Sequence, residues 1–140
     1  METLKQGVDN MSCDCTEFQN YTSSLQFRNK SILDIVTKLG EQNAMLNRAV
    51  FKSVTHCGCI EINACKQIFS NNMTLEENKE NLSNHIKGEL CDKCSEKIEE
   101  EIGDLLFYLA SLCDALNLDL DDIMKHKLSN LKTLGIYNLL

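Results

Sequence analysis

The sequence predicts an all-α protein built as a four-helix bundle, and three observations carry that prediction. Between residues 98 and 116, Ile98, Ile102, Leu105, Leu109, Leu112 and Leu116 recur at steps of three and four. That spacing lays them along one stripe of a helix, whereas a strand needs a period of two. The 140 residues contain no proline and only six glycines, so little interrupts a helical segment. Hydrophobic residues make up 43% of the chain, which is enough for one buried core and too much for disorder throughout.

The elements follow in order. Residues 1–30 show no clean period and read as a tail or irregular segment, and residues 31–140 as a single helical domain. Ser31 caps a short helix carrying Ile32, Leu33, Ile35, Val36 and Leu39, with Gly40 as its stop. A longer second helix is expected over 42–69, with Leu46, Val50, Val54, Cys57, Ile60 or Glu61, Ala64 and Ile68 as its series. Residues 70–85 are polar and Asn-rich, a linker with one or two helical turns in which Thr74 caps Leu75 onward. The third helix starts near 90–95 and runs to Leu116. Asp119 caps the fourth, which carries Ile123, Leu128, Leu131 and Leu134 before Gly135. The end at 136–140 is apolar and is expected to pack on the bundle or on a partner subunit.

Composition excludes several classes. A net charge of −7 argues against a nucleic-acid polymer, whose phosphates demand clustered Lys and Arg. No apolar run approaches the ~18 residues of a membrane span, so no membrane partner is expected. The first ten residues lack a basic and then apolar leader, which points to a cytoplasmic, reducing compartment. There, eight cysteines read as metal ligands or redox groups more than as disulfides. Cys13 and Cys15 read as exposed thiols of the tail, and Cys65 and Cys113 as small core residues.

Glu101 and Asp104 lie three apart beside the apolar stripe and repel unless a cation or basic group sits between them. They read either as such a site or as a solvated acidic turn near a helix start. The run from Glu100 to Leu109, EEIGDLLFYL, resembles the second signature of the MazG-like all-α nucleotide pyrophosphohydrolases. The turn Leu116-Asn117-Leu118-Asp119-Leu120 is similar as well, and the likeness covers residues 32–135. The resemblance implies a bundle whose core is completed in a homodimer or higher oligomer. It also implies a nucleotide or other small phosphorylated ligand, cleaved between its α and β phosphates. Glu101 and Asp104 would hold Mg²⁺ or Mn²⁺, and Lys127 and Asn130 would approach the phosphates. Where that family carries EExxE on its second helix, this chain has Thr55-His56-Cys57-Gly58-Cys59. His56 and Cys59 would then join Glu101 and Asp104 as metal ligands, a set that suits Zn²⁺ or Fe²⁺ better than Mg²⁺. His56, Glu101 and Asp104 are the expected catalytic residues.

A second ligand set competes with the first. Cys57-Gly58-Cys59 and Cys91-Asp92-Lys93-Cys94 could meet if their helices pack antiparallel, giving a thiolate Zn²⁺ or iron–sulfur site. Cys91 precedes Glu101 by ten residues, ~15 Å along a helix, so one ion cannot serve both sets. The thiolate set implies a non-catalytic metal-binding or thiol-based regulatory protein.

Overall fold

Sequence periodicity of three to four residues is realised over most of the chain. The computed structural model describes residues 14–135; Cys13 and the apolar end at 136–140 lie outside the described residues. Those described are predominantly helical, with five α-helices and one two-stranded sheet. In chain order they are α1 (Cys15–Leu25), α2 (Ile32–Lys52), a π-helical turn (Ser53–Cys57), β1 (Ile60–Ile62), α3 (Leu75–Asn81), β2 (Ile86–Gly88), α4 (Asp92–Ala115) and α5 (Leu120–Leu134). No helix among them is long and apolar enough to cross a membrane. The chain divides into two units, one of Met1–Gln42 with Gly103–Leu140 and one of Asn43–Ile102.

In the first unit α1 lies within the stretch expected to be irregular. Its start has a local signal: the Asp14 carboxylate accepts the Glu17 backbone N–H at 2.7 Å, an N-cap. Gln19 then fastens α1 to the α4–α5 turn, donating to the Leu118 carbonyl and accepting from the Leu120 N–H, both at 2.8 Å. Ser23 Oγ donates to Asp114 at 2.9 Å. The turn itself closes on Asn117, whose φ of 55° is left-handed, while the Leu118 N–H reaches back to the Cys113 carbonyl at 2.8 Å. Asp119 caps α5 as expected, accepting from Asp122 N–H at 2.9 Å.

The apolar interior of this unit is thin: Ile35, Ala110 and Cys113 are buried, beside the polar Thr22 and Ser111. Small residues of α4 are thus the ones enclosed. The part of the Ile98–Leu116 stripe that falls in this unit is only partly covered, with Leu109 at 39% and Leu116 at 51% exposure. Gly40 does not end a helix. It sits inside α2, where one glycine costs ~1 kcal/mol against alanine and twenty other helical residues outweigh it.

The second unit departs most from expectation. The helix expected over 42–69 gives way after Lys52 to the π-turn, in which the Gly58 N–H bonds the Ser53 carbonyl at 2.9 Å. Gly58 takes φ 74°, which terminates the helix. Beyond it Ile60-Glu61-Ile62 alternates with period two, and β1 pairs antiparallel with β2 in the register Ile60↔Gly88, Glu61↔Lys87, Ile62↔Ile86. The intervening loop is organised by α3, where Thr74 and Glu77 form a reciprocal capping box at 2.7 and 3.2 Å.

Asn78 holds that loop from within. It is buried; its Nδ2 points at the carbonyls of Ser70 (3.0 Å), Met73 (3.3 Å) and Thr74 (3.0 Å), and its Oδ1 accepts the Ser70 N–H at 2.9 Å. Asn78→Ala leaves those groups without their partner, so the expected loss is about 1–3 kcal/mol. Amide exchange should quicken at Ser70 before it quickens in α4, which hydrogen exchange with mass spectrometry resolves.

Candidate metal centre

Four cysteines far apart in sequence converge in the second unit. The sulfurs of Cys57, Cys59, Cys91 and Cys94 all lie within 4.8 Å of one another, and Cys57 Sγ stands 3.7 Å from Cys91 Sγ. Local backbone chemistry explains each placement. Cys57 ends the π-turn, Gly58 reverses the chain, and Cys59 follows immediately, so the two thiols flank one left-handed residue. Cys59 Sγ also faces the Ser53 carbonyl at 3.7 Å, and Ser53 is fully buried.

The other pair belongs to the start of α4. The Ser95 N–H bonds the Cys91 carbonyl at 2.9 Å, which makes Cys91 the residue on which the helix opens. Cys94 lies in the first turn, and its backbone N–H also bonds the Cys91 thiol. The sheet brings the two pairs together. Gly88, at the end of β2, lies so close to the first pair that a Cβ there would meet the Cys59 carbonyl oxygen at 2.7 Å. Only glycine fits the approach, and its φ of 82° is also one that side chains resist. Gly58 and Gly88 thus shape the site without supplying a ligand; the sequence signal for the first is a glycine flanked by two cysteines.

Electrostatics favour a cation here. Four thiolates within 4.8 Å repel strongly, so the cluster by itself retains protons. Cys91 is lowered to about 7, first by the Cys94 N–H and then by the thiols of Cys94 and Cys57. Burial pushes Cys94 up to about 12, reinforced by bonding to Cys91, Cys57 and Cys59. Cys57 is raised as well, chiefly through its bond to Cys91. A bound cation reverses that balance and displaces protons, so acid weakens its retention and alkali strengthens it.

The oxygen-rich ligand set is arranged differently. Among the described residues two groups of potential ligands gather, the four cysteines and Asp119, Asp121 and Asp122; His56, Glu101 and Asp104 belong to neither. His56 is exposed on the π-turn, and Asp104 is exposed on α4. Glu101 is buried and ion-paired with Lys97 at 2.7 Å, while Lys97 also holds Glu100 at 2.7 Å. Those two carboxylates raise the Lys97 pKa, Glu100 more strongly. A basic partner thus meets the acidic α4 turn one helical turn before it. Lys127 and Asn130 are exposed on α5. Two of the three aspartates have a local explanation: Asp119 caps α5 and Asp121 pairs with Lys125. Of the cysteines expected in a core, Cys113 is buried and Cys65 is exposed.

Fold and site together define a predominantly helical, cysteine-rich protein with a four-thiolate cluster able to accept a metal ion. Compared with protein-family models, curated proteins and solved structures, the chain matches none.

Proposed function

We propose that this chain is a non-catalytic, zinc-structured module whose four thiolates hold one Zn²⁺ and whose work is binding or regulation. The observation that carries the reading is the spacing of the sulfurs. Zn–S bonds of ~2.3 Å in a tetrahedron set the ligands about 3.8 Å apart. The Cys57–Cys91 separation of 3.7 Å and the 4.8 Å limit on the rest suit a single ion of that kind. An iron–sulfur cluster inserts further irons and bridging sulfides between its thiolates and spreads them wider. Mg²⁺ and Mn²⁺ favour oxygen donors, which this cluster lacks.

A structural role is supported by what else the unit encloses. Ile60 is its buried apolar residue among those described, and the other buried side chains are Ser53, Asn78 and Glu101. Three-residue strands and one isoleucine cannot offset the ordering of the loop between them, so the ion supplies what a core would. The pyrophosphohydrolase reading rests on Glu101 and Asp104, and the pairing of Glu101 with Lys97 gives it no comparable support. The half-exposed Leu109 and Leu116 of α4 support the expected homo-oligomer.

Protein expressed without added metal should carry about one zinc per chain by elemental analysis. Cobalt substitution should give the intense near-ultraviolet thiolate charge-transfer bands of a four-sulfur site. Metal-free protein with all eight cysteines titrating rapidly under native conditions sinks the proposal.

A further inference from the structure

We propose that the four-thiolate centre is also an oxidant-triggered release site, in which Cys57 and Cys91 close into a disulfide and the ion leaves. The inference rests on the zinc reading above and adds a regulation to it. Three observations single out this pair. Its sulfurs already stand 3.7 Å apart, so a bond requires a modest approach. Cys57 is the exposed member of the four, and the other three are partly covered, so a hydroperoxide reaches it first. Cys91 is fixed where α4 opens, its carbonyl accepting the Ser95 N–H at 2.9 Å, so its sulfur is held beside Cys57 as the resolving nucleophile. The Cys57–Cys59 pairing is less apt. Cys57 and Cys59 are separated by one residue and would close a very small ring, and Cys59 is turned toward the Ser53 carbonyl.

The chemistry balances with a hydroperoxide as the oxidant. The Cys57 thiolate attacks the terminal peroxide oxygen, the O–O bond breaks, and the alkoxide or hydroxide leaves and takes a proton from water. Cys57 is then a sulfenic acid. The Cys91 thiolate attacks that sulfur, an S–S bond forms, and the S–O bond breaks to release hydroxide, which is also protonated. Two thiolates have lost two electrons, and the hydroperoxide has become an alcohol, or water, plus water. Only Cys59 and Cys94 remain as ligands, too few for Zn²⁺; the ion is released and both thiols regain protons. The disulfide spans two elements, tying the π-turn after α2 to the start of α4.

The test uses the full zinc-loaded chain, hydrogen peroxide and a chromogenic zinc chelator, with disulfides assigned by non-reducing peptide mapping. Zinc release should rise in step with a Cys57–Cys91 linkage, one zinc per disulfide, and dithiothreitol should restore zinc uptake. Cys65→Ser removes an exposed thiol outside the cluster and should release zinc at the parent's rate. Zinc retained while Cys65 is oxidised, or a linkage mapping to Cys57–Cys59 or Cys91–Cys94, overturns this inference and leaves the zinc reading standing. Protein that holds no zinc before peroxide is added overturns both.

Discussion

Stripping the metal should unfold the Asn43–Ile102 unit and spare the pairing of α1 with α5. The magnitude follows from what each part has to rely on. Structural Zn²⁺ in small thiolate sites contributes about 10–16 kcal/mol of apparent binding free energy at neutral pH, most of which is folding free energy. Against it, burial of Ile60 supplies about 2–3 kcal/mol, and every ordered residue of the loop costs about 1–2 kcal/mol in backbone entropy. The first unit has other fastenings: the Gln19 clamp, the Ser23–Asp114 bond and the buried Ile35, Ala110 and Cys113. A strong chelator, or the double substitution Cys91→Ser with Cys94→Ser, should therefore abolish hydrogen-exchange protection at Asn63, whose N–H bonds the His85 carbonyl at 2.9 Å. Protection at Leu120, held by Gln19, should persist. Equal loss at both places would mean that the ion is not what orders this unit.

Two glycine substitutions should move stability in opposite directions. Gly88→Ala puts a Cβ 2.7 Å from the Cys59 carbonyl oxygen, a backbone atom that cannot swing aside, at a φ of 82°. Adopting that φ with a side chain costs about 1–3 kcal/mol, and relief of the clash moves Cys59 off the cluster. Metal affinity should fall roughly 10–100-fold, the range seen when residues that orient ligands are altered. Gly40→Ala is the counterpart, since nothing lies within 4 Å of its added Cβ and the residue is in mid-helix. It should stabilise the chain by about 0.5–1 kcal/mol and leave metal affinity unchanged. Competition with a colorimetric zinc chelator reads the affinity, and thermal melting of the loaded protein reads the stability. A Gly88→Ala protein that binds zinc as tightly as the parent would show that the Gly88–Cys59 approach does not position the thiol.

Helices announced themselves where caps and period agreed. Asp119, Thr74 and the run after Cys91 mark α5, α3 and α4 nearly to the residue, because each start depends on side chains close in sequence. The long helix expected over 42–69 failed for a related reason. Its spacing of Val50, Val54 and Cys57 suits a helix, but the left-handed Gly58 overrides it, and Ile60-Glu61-Ile62 carries a period-two signal too short to stand out. Which face of α4 is enclosed was not legible either. Large residues mark the stripe, yet the positions buried are Glu101, Ala110, Ser111 and Cys113, a matter of what packs there. The four cysteines could be paired as motifs from spacing alone. Choosing them over His56, Glu101 and Asp104 required the sheet that carries Cys59 toward Gly88, and that register is a long-range fact.

The two cysteine pairs bracket the segment that joins β1 to β2, and this has an evolutionary consequence. A cross-link that clamps both ends of a segment makes its length nearly immaterial, since doubling a loop adds only ~0.6 kcal/mol of closure entropy. The stretch between Ile62 and Ile86 is accordingly where this architecture can absorb inserted sequence, and with it new recognition surfaces, while the anchoring geometry stays fixed.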